Sequence, residues 1–193
     1  MEESAALVLV RTPRLVLRRF QAGDLEAFTA YRTDPEVARF QPWENFGHRA
    51  AEEFVRQQMR AIPDTRGEWF QVALALIESE GLIGDCAIRP LLDEPRIVEL
   101  GFTLSRTHQG HGYATEAVRA LLGYLFGTLR KHKVVAYADV RNARSVRLLE
   151  RVGLRREGFM RENYMVHGRW VDECFYAMLE SDWERAPTED SSR

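Results

Sequence analysis

A turn built on two glycines, Gln109-Gly110-His111-Gly112-Tyr113-Ala114-Thr115-Glu116, joins a β-type run to an amphipathic helix and limits what the chain around it can become. Glycine in such a turn lets the backbone approach a ligand closely. The first turn of a helix leaves N–H groups unpaired at the positive end of its dipole. Upstream, Arg96 to Leu104 alternates as a strand does, with Glu99, Gly101 and Thr103 on one face and Leu100, Phe102 and Leu104 on the other. Downstream, Val118, Leu121, Leu122, Leu125 and Leu129 recur at intervals of three and four, which buries one helical face. The unit is a strand, a glycine turn and a helix start, and that combination suits a phosphate.

The flanking periodicities extend this unit in both directions. Arg14 to Phe20 reads as a strand, and Gly23-Asp24 as a turn and N-cap before a helix marked by Leu25, Phe28 and Tyr31. Asp34-Pro35 ends that helix, the stretch from Phe40 to Gly47 is aromatic and irregular, and Phe54, Val55, Gln58 and Met59 mark a second helix running to about Ile62. Trp69 to Ile77 and Leu82 to Leu91 are β-rich runs joined by Glu78-Ser79-Glu80-Gly81, so a meander leads into the strand before the turn. After the helix come a β-branched strand, Val134 to Val140, and a short helix opened by Asn142-Ala143-Arg144-Ser145 with Gly153 as its stop. Two long strands, Arg155 to Val166 and Arg169 to Leu179, turn at His167-Gly168. The order predicts one mixed α/β (α+β) domain, a mostly antiparallel sheet of about seven strands with about four helices. No repeat or linker divides it, so the domain spans residues 12–183 between tails 1–11 and 184–193.

A net charge of −2 argues against a global field for nucleic acid, and the run Arg130, Lys131, His132, Lys133 reads as a helix C-terminus that favours cations. Cys86 and Cys174 lack metal or redox spacing and read as buried thiols of a reducing compartment. Ala5 to Val10 is too short and wrongly flanked for a signal peptide or a membrane span, which predicts a cytoplasmic protein with no membrane partner. His108, His111 and His167 have no metal-ligand spacing, so no metal is expected, and no Gly-x-Ser-x-Gly elbow supports a serine hydrolase.

The neighbours of the glycine turn decide among anion sites. A dinucleotide fold would need a third glycine in Gly-x-Gly-x-x-Gly, where this chain has Thr115, and a P-loop would need Gly-Lys-Ser/Thr. The chain instead resembles the GNAT acetyltransferase superfamily, whose loop reads Gln/Arg-x-x-Gly-x-Gly/Ala; Gln109, Gly112 and Ala114 meet its fixed positions. Thr115-Glu116-Ala117, Glu99-Leu100-Gly101-Phe102, Asn142-x-x-Ser145, Glu157-Gly158 and Gly168-Arg169-Trp170-x-Asp172 resemble its Rim-type branch, which includes ribosomal-protein N-terminal acetyltransferases. The likeness runs from about Thr12 to Trp183.

The resemblance implies acetyl-CoA as cosubstrate, its pyrophosphate cradled by the loop of Gln109, Gly110, His111, Gly112, Tyr113, Ala114 and Thr115. It implies a splayed gap beside the Val134 strand, with pantetheine paired to backbone at Phe102, Thr103 and Leu104 and hydrogen-bonded by Asn142. Direct transfer to a primary amine, on a protein N-terminus or a small molecule, needs an oxyanion donor, a proton for the thiolate and a base. The implied oxyanion donor is a backbone N–H at Phe102 or Thr103.

For the thiolate's proton, Leu149 occupies the place of the tyrosine many relatives use, and Ser145 resembles the Rim-type serine; its alternative reading is a helix-start serine bonding backbone. Glu99 is the first candidate base, its alternative a carboxylate paired with an arginine. Where some Rim-type enzymes carry a catalytic glutamate in the hairpin this chain has Tyr164, with Glu162 nearby on the same expected face. Phe40, Trp43, Phe46, Tyr164 and Trp170 are candidate acceptor walls, with plain core as the alternative. The rival function is a non-catalytic acyl-CoA-binding sensor or interaction domain, and both monomer and homodimer stay open.

Overall fold

Eight strands make one sheet in the order β1-β2-β3-β4-β5-β6-β8-β7, seen in a computed structural model that describes residues 7–43 and 46–185. They are β1 (Val8–Arg11), β2 (Leu15–Arg19), β3 (Phe70–Leu76), β4 (Leu82–Pro90), β5 (Ile97–Leu104), β6 (Lys133–Asp139), β7 (Arg155–Val166) and β8 (Arg169–Leu179). Every neighbouring pair is antiparallel except β5 and β6. The helices are α1 (Leu25–Thr33), the single turn α2 (Pro35–Ala38), α3 (His48–Gln58), α4 (Tyr113–Gly123), α5 (Ala143–Arg151) and α6 (Glu180–Arg185).

Strand alternation sorts the core into two layers. Leu15, Leu17, Val72, Leu74, Cys86, Ile88, Leu100, Val134, Ala136, Cys174 and Tyr176 face α4 and α5, where Val118, Leu121, Leu122, Leu125 and Leu149 are fully buried. The opposite face meets α1 and α3 through Phe20, Phe28, Tyr31, Val55 and Ala73. Phe28 is the hub of that smaller layer, edge-on to Phe20, Tyr31 and Phe46 and stacked on Phe54. Each large apolar side chain removed from water in these layers contributes about 1.5–3 kcal/mol.

The expected elements are present with some corrections. Val8–Arg11, assigned to the N-terminal tail, form an eighth strand against β2, because Leu9 and Val10 pack on the main core while the backbone pairs Val8 to Arg18 and Arg11 to Val16. Glu184 and Arg185, assigned to the C-terminal tail, belong to α6, which Trp183 anchors by stacking on Phe126 at 6.0 Å. Residues 1–6 and 186–193 of those tails, and 44–45 of the aromatic stretch, lie outside the described residues. Asp24 does not cap α1 with its side chain. It accepts from the Gln21 N–H and pairs with buried Arg18, closing the short 3-10 turn Ala22–Asp24. Of the basic run, Lys131 is buried on Asp64 and the Pro95 carbonyl, and Lys133 opens β6 and pairs with Glu157. Among the described residues no helix is long and apolar enough to cross a membrane.

β4 and β5 approach so closely at Gly84 that an added Cβ would stand 2.3 Å from the Thr103 carbonyl oxygen and 3.0 Å from the Leu104 Cα. Both are backbone atoms, which cannot swing aside. Gly84→Ala is therefore expected to destabilise the fold by about 1–3 kcal/mol, read as a drop of several degrees in the thermal midpoint; an unchanged midpoint would show that the strands separate without cost.

Candidate active site

The site begins where β5 loses a neighbour. β5 pairs with β4 from Val98 to Leu104, but with β6 only through Ile97, Val98 and Glu99 against Lys133, Val134 and Val135. Beyond these pairs the strands part, and the β6-facing edge from Gly101 to Leu104 has no strand on it among the described residues. That edge includes the three positions expected to pair with an extended ligand, Phe102, Thr103 and Leu104.

The glycine turn follows at the mouth of this gap. Gly110 and Gly112 adopt φ of +83° and +82°, a region that side chains with a Cβ avoid, and nothing lies within 4 Å of where a Cβ on Gly110 would be. Gly112 caps α4 without a side-chain bond, so the N–H groups of the first turn, at Tyr113, Ala114 and Thr115, lack side-chain capping there. The Gln109 amide spans the mouth: Nε2 donates to the Leu104 carbonyl at 3.0 Å, and Oε1 accepts from Arg144 of α5 at 2.6 Å.

Two residues that the sequence did not single out hold this loop. Arg14 donates from Nη1 to the His111 carbonyl at 3.0 Å, lies 4.4 Å from the Tyr113 ring centroid, and pairs with Glu116 at 2.6 Å. Thr12 donates to the same Glu116 carboxylate at 2.6 Å, and the Arg14 N–H donates to it at 3.1 Å. Burial alone would raise the Glu116 carboxyl, yet these Thr12 and Arg14 bonds outweigh it and hold the carboxyl below its ordinary value. A carboxylate in the first turn of a helix was the only local signal of the anchor; its partners lie 102 and 104 residues away.

Asn142 and Ser145 meet at the start of α5. Asn142 Oδ1 accepts from the Ser145 N–H at 3.2 Å, so Asn142 is the N-cap and the Ser145 hydroxyl keeps no hydrogen-bond partner among the described residues. Leu149 is fully buried in the main core.

Acidic groups collect on the other face of the sheet, beside the gap. Glu99, the first candidate base, is paired with Arg89, as its alternative reading had it, and the Arg89 guanidinium also lies 4.6 Å from the Trp69 ring centroid. Asp139 is clamped by Arg141 at 2.5 Å; burial would raise its carboxyl, but the Arg141 bonds hold it low. Tyr137 stands beside them, its hydroxyl pushed up by burial and by the fields of Glu99 and Glu173. On β4, buried Asp85 accepts from the Tyr31 hydroxyl and pairs with Arg32 at 3.2 Å. Arg32 lies 3.8 Å from the Trp43 ring centroid, with Phe28, Phe46 and Phe54 also around it. Burial raises the Tyr31 hydroxyl well above its ordinary value, so it stays a donor.

The candidate walls divide. Trp43 and Phe46 line a cleft of about 610 Å³ with Arg32, Thr33, Ala38, Gly47 and His167. The Arg39 and Arg141 guanidiniums lie 5.2 and 6.0 Å from the Phe40 ring centroid, and Gln41 reaches the Thr103 hydroxyl at 3.5 Å. Tyr164 is exposed on the hairpin, and Trp170 lies on the opposite face of β8, the one that carries Cys174 and Tyr176. Glu162 does not share the alternation with Tyr164, because the register shifts between Met160 and Tyr164 and Glu162 adopts φ +47°.

Residues 14–155 match the family described as acetyltransferase (GNAT) domain. The chain belongs to the GNAT acetyltransferases. It is similar to the uncharacterized N-acetyltransferase YnaD of Bacillus subtilis, with 31% identity over 90% of this chain and 98% of that protein. It is also similar to a spermidine N(1)-acetyltransferase of Vibrio cholerae, with 26% identity over 88% of this chain and 95% of that one. In structure it is similar to a GNAT-family acetyltransferase from Bacillus anthracis, with a TM-score of 0.81 and 28% identity over 89% of this chain and 98% of that chain. GNAT acetyltransferases move an acetyl group to an amine, and this chain is such an acyltransferase. Its parted strands and open glycine turn are the features that chemistry calls for.

Glu116→Gln is expected to cost about 1.5–3 kcal/mol by removing charge-assisted bonds. A depressed carboxyl stabilises the fold above its unfolded pKa, about 4.3, and loses that contribution as pH falls through the lower folded value. Thermal melts should show a constant gap between wild type and variant above about pH 5 that closes in more acidic buffer. A gap that persists there would remove the charge from the account.

Proposed function

We propose that this GNAT acetyltransferase transfers the acetyl group of acetyl-CoA to a primary amine by direct attack, with both substrates bound together. The unpaired edge of β5, ending in an open helix-start loop, carries this reading. Backbone N–H groups from Gly110 to Ala114 would hold the pyrophosphate, the edge at Phe102 to Leu104 the pantetheine, and Asn142 Nδ2 its amide arm. Bound there, the cosubstrate supplies an activated acetyl group. A backbone N–H at Phe102 or Thr103 stabilises developing negative charge on the carbonyl oxygen. The Ser145 hydroxyl, without a hydrogen-bond partner among the described residues, supplies a proton on the sulfur side.

The amine arrives from the α1–α3 side, past Phe40, Gln41 and Trp43. The carboxylates of that face favour a cationic acceptor, which fits a polyamine or the amino end of a basic polypeptide. The spermidine acetyltransferase among its relatives supports the polyamine arm of that choice.

Calorimetric titration should detect acetyl-CoA binding. Gly112→Trp, which fills the loop, should weaken it by at least about 100-fold, equivalent to the loss of one or two charge-assisted hydrogen bonds. Unchanged affinity in a folded variant would sink the loop assignment. Free thiol release with acetyl-CoA and spermidine, an alanyl peptide, lysine or an aminoglycoside should exceed hydrolysis for at least one acceptor, whereas a sensor domain would release none.

Ser145→Ala should lower kcat by about 100-fold with acetyl-CoA affinity within about twofold, as loss of a transition-state proton donor requires. The opposite split would make Ser145 a binding group only.

A further inference from the structure

The acetyl transfer proposed above needs a group that frees the amine, and the carboxylates around the gap are unequal. Glu99 is bound to Arg89, Asp139 to Arg141, and Asp85 to Arg32. Glu173 of β8 is different. Its hydrogen-bond partner is a neutral amide, Asn163 Nδ2, which donates to Oε2 at 2.8 Å, and among the described residues no cation is paired with it. The second carboxylate oxygen, Oε1, is left over.

Sheet register places Glu173 on the face of the opening, one strand beyond its β6 edge. On the face that carries Glu99, the residues of β6 next beyond the last β5–β6 pair are Tyr137 and Asp139. β8 lies alongside, with Phe175 opposite Tyr137 and Glu173 opposite Asp139. Tyr137 and Phe175 rings pack 5.2 Å apart between the gap and β8. The groups that face Glu173 are therefore Tyr137 and Asp139 from β6, Glu99 from β5, and Met160 and Asn163 from β7, with the Arg141 and Arg89 guanidiniums turned onto Asp139 and Glu99. A half-buried carboxylate facing two others without a counter-ion is an incomplete charge arrangement, and an ammonium completes it.

We propose that Glu173 is the general base of this enzyme: it receives the acceptor's ammonium on Oε1 and takes one of its protons. This assignment rests on the amine-acetylation reading. Glu173 takes a proton from R–NH3+ and leaves R–NH2. The freed nitrogen pair forms the C–N bond at the acetyl carbonyl carbon while the C–S bond breaks with its electrons going to sulfur. A second proton from that nitrogen neutralises the sulfur, directly or through the Ser145 hydroxyl, so the products are the N-acetyl amine, the free thiol and the proton held on Glu173, which passes to water. Burial, followed by the fields of Asp139 and Glu99, raises the Glu173 carboxyl above its ordinary value, against the pull of the Asn163 bond, and so makes it a better proton acceptor.

Two measurements on the full-length protein test this. Carbon-13 NMR of glutamate carboxyls, with the Glu173 signal identified by its loss in Glu173→Gln, should show it titrating above the usual glutamate range without any acceptor present. A signal at or below that range overturns the assignment. Kinetics with acetyl-CoA and the fastest of spermidine, an alanyl peptide, lysine or an aminoglycoside should then show Glu173→Gln lowering kcat by about 100-fold, with the acidic limb of the kcat–pH profile lost and acetyl-CoA affinity kept. Asn163→Ala, which removes the bond that lowers the carboxyl, should keep that limb and move it to higher pH.

A rise in KM for the acceptor with kcat unchanged would make Glu173 a binding group and overturn its role as base. So would a limb that stays in place in both variants. If Glu173→Gln fails to fold, the direction in which Asn163→Ala moves the limb decides. Wild-type protein that binds acetyl-CoA but acetylates none of the four amines overturns the amine reading itself, whereas an active wild type matched by Glu173→Gln overturns only the assignment of the base.

Discussion

The parting of β5 from β6 is the constraint on which the rest of the molecule turns. Each strand is held on its outer side, β5 by β4 from Val98 to Leu104 and β6 by β8 from Lys133 to Asp139. The gap between them is thus walled by two hydrogen-bonded ribbons that cannot both bend inward without breaking ladders elsewhere. Backbone groups on the inner edges must still find partners. An extended ligand lying along β5, as proposed, would satisfy them as an added strand does, with no dedicated side chain along that length.

The crossover that makes β5 and β6 parallel also builds the proposed anion site. A parallel connection must run over one face of the sheet, and here it does so through α4, extended by the π turn Tyr124–Thr128. The helix start therefore sits at the end of β5, where the gap opens. Thr12 and Arg14, from the turn between β1 and β2, fix that start by converging on Glu116 and the His111 carbonyl. The N-terminal hairpin, remote from the loop in sequence, braces it.

Local pattern and distant partners explain what could be read from the chain beforehand. The glycine turn, the alternation of Arg96 to Leu104 and the Asn142-x-x-Ser145 start are short-range features, and each reappears within a residue or two of its expected place. β1 escaped because four residues beside an acidic terminus carry too few alternations to outweigh a tail reading. Glu162 was misplaced because a register shift inside β7 breaks the period of two, and nothing in Arg161-Glu162-Asn163 announces it. The face that carries Glu99 was legible, whereas the identity of its partner, Arg89, depended on the β4–β5 register. Trp170 illustrates the same limit: its type suited a wall, but strand phase turns it away from Glu173. Side-chain pairing across strands is decided by register, and register is a property of the assembled sheet.

The start of α5 shows how one residue can meet a folding and a functional demand at once. Aspartate, serine and asparagine cap helices about equally well, so capping alone does not select Asn142. Its Oδ1 is consumed by the Ser145 N–H, which fixes the side chain and leaves Nδ2 as a donor. Aspartate in its place would cap with the same geometry but offer a charged acceptor, and serine would be too short to offer a separate amide donor. An asparagine is therefore a cap that both starts the helix and leaves a hydrogen on nitrogen for the amide carbonyl proposed to lie in the gap. The same bond uses the Ser145 backbone rather than its hydroxyl, so the cap leaves unengaged the side chain proposed for the sulfur side of the reaction.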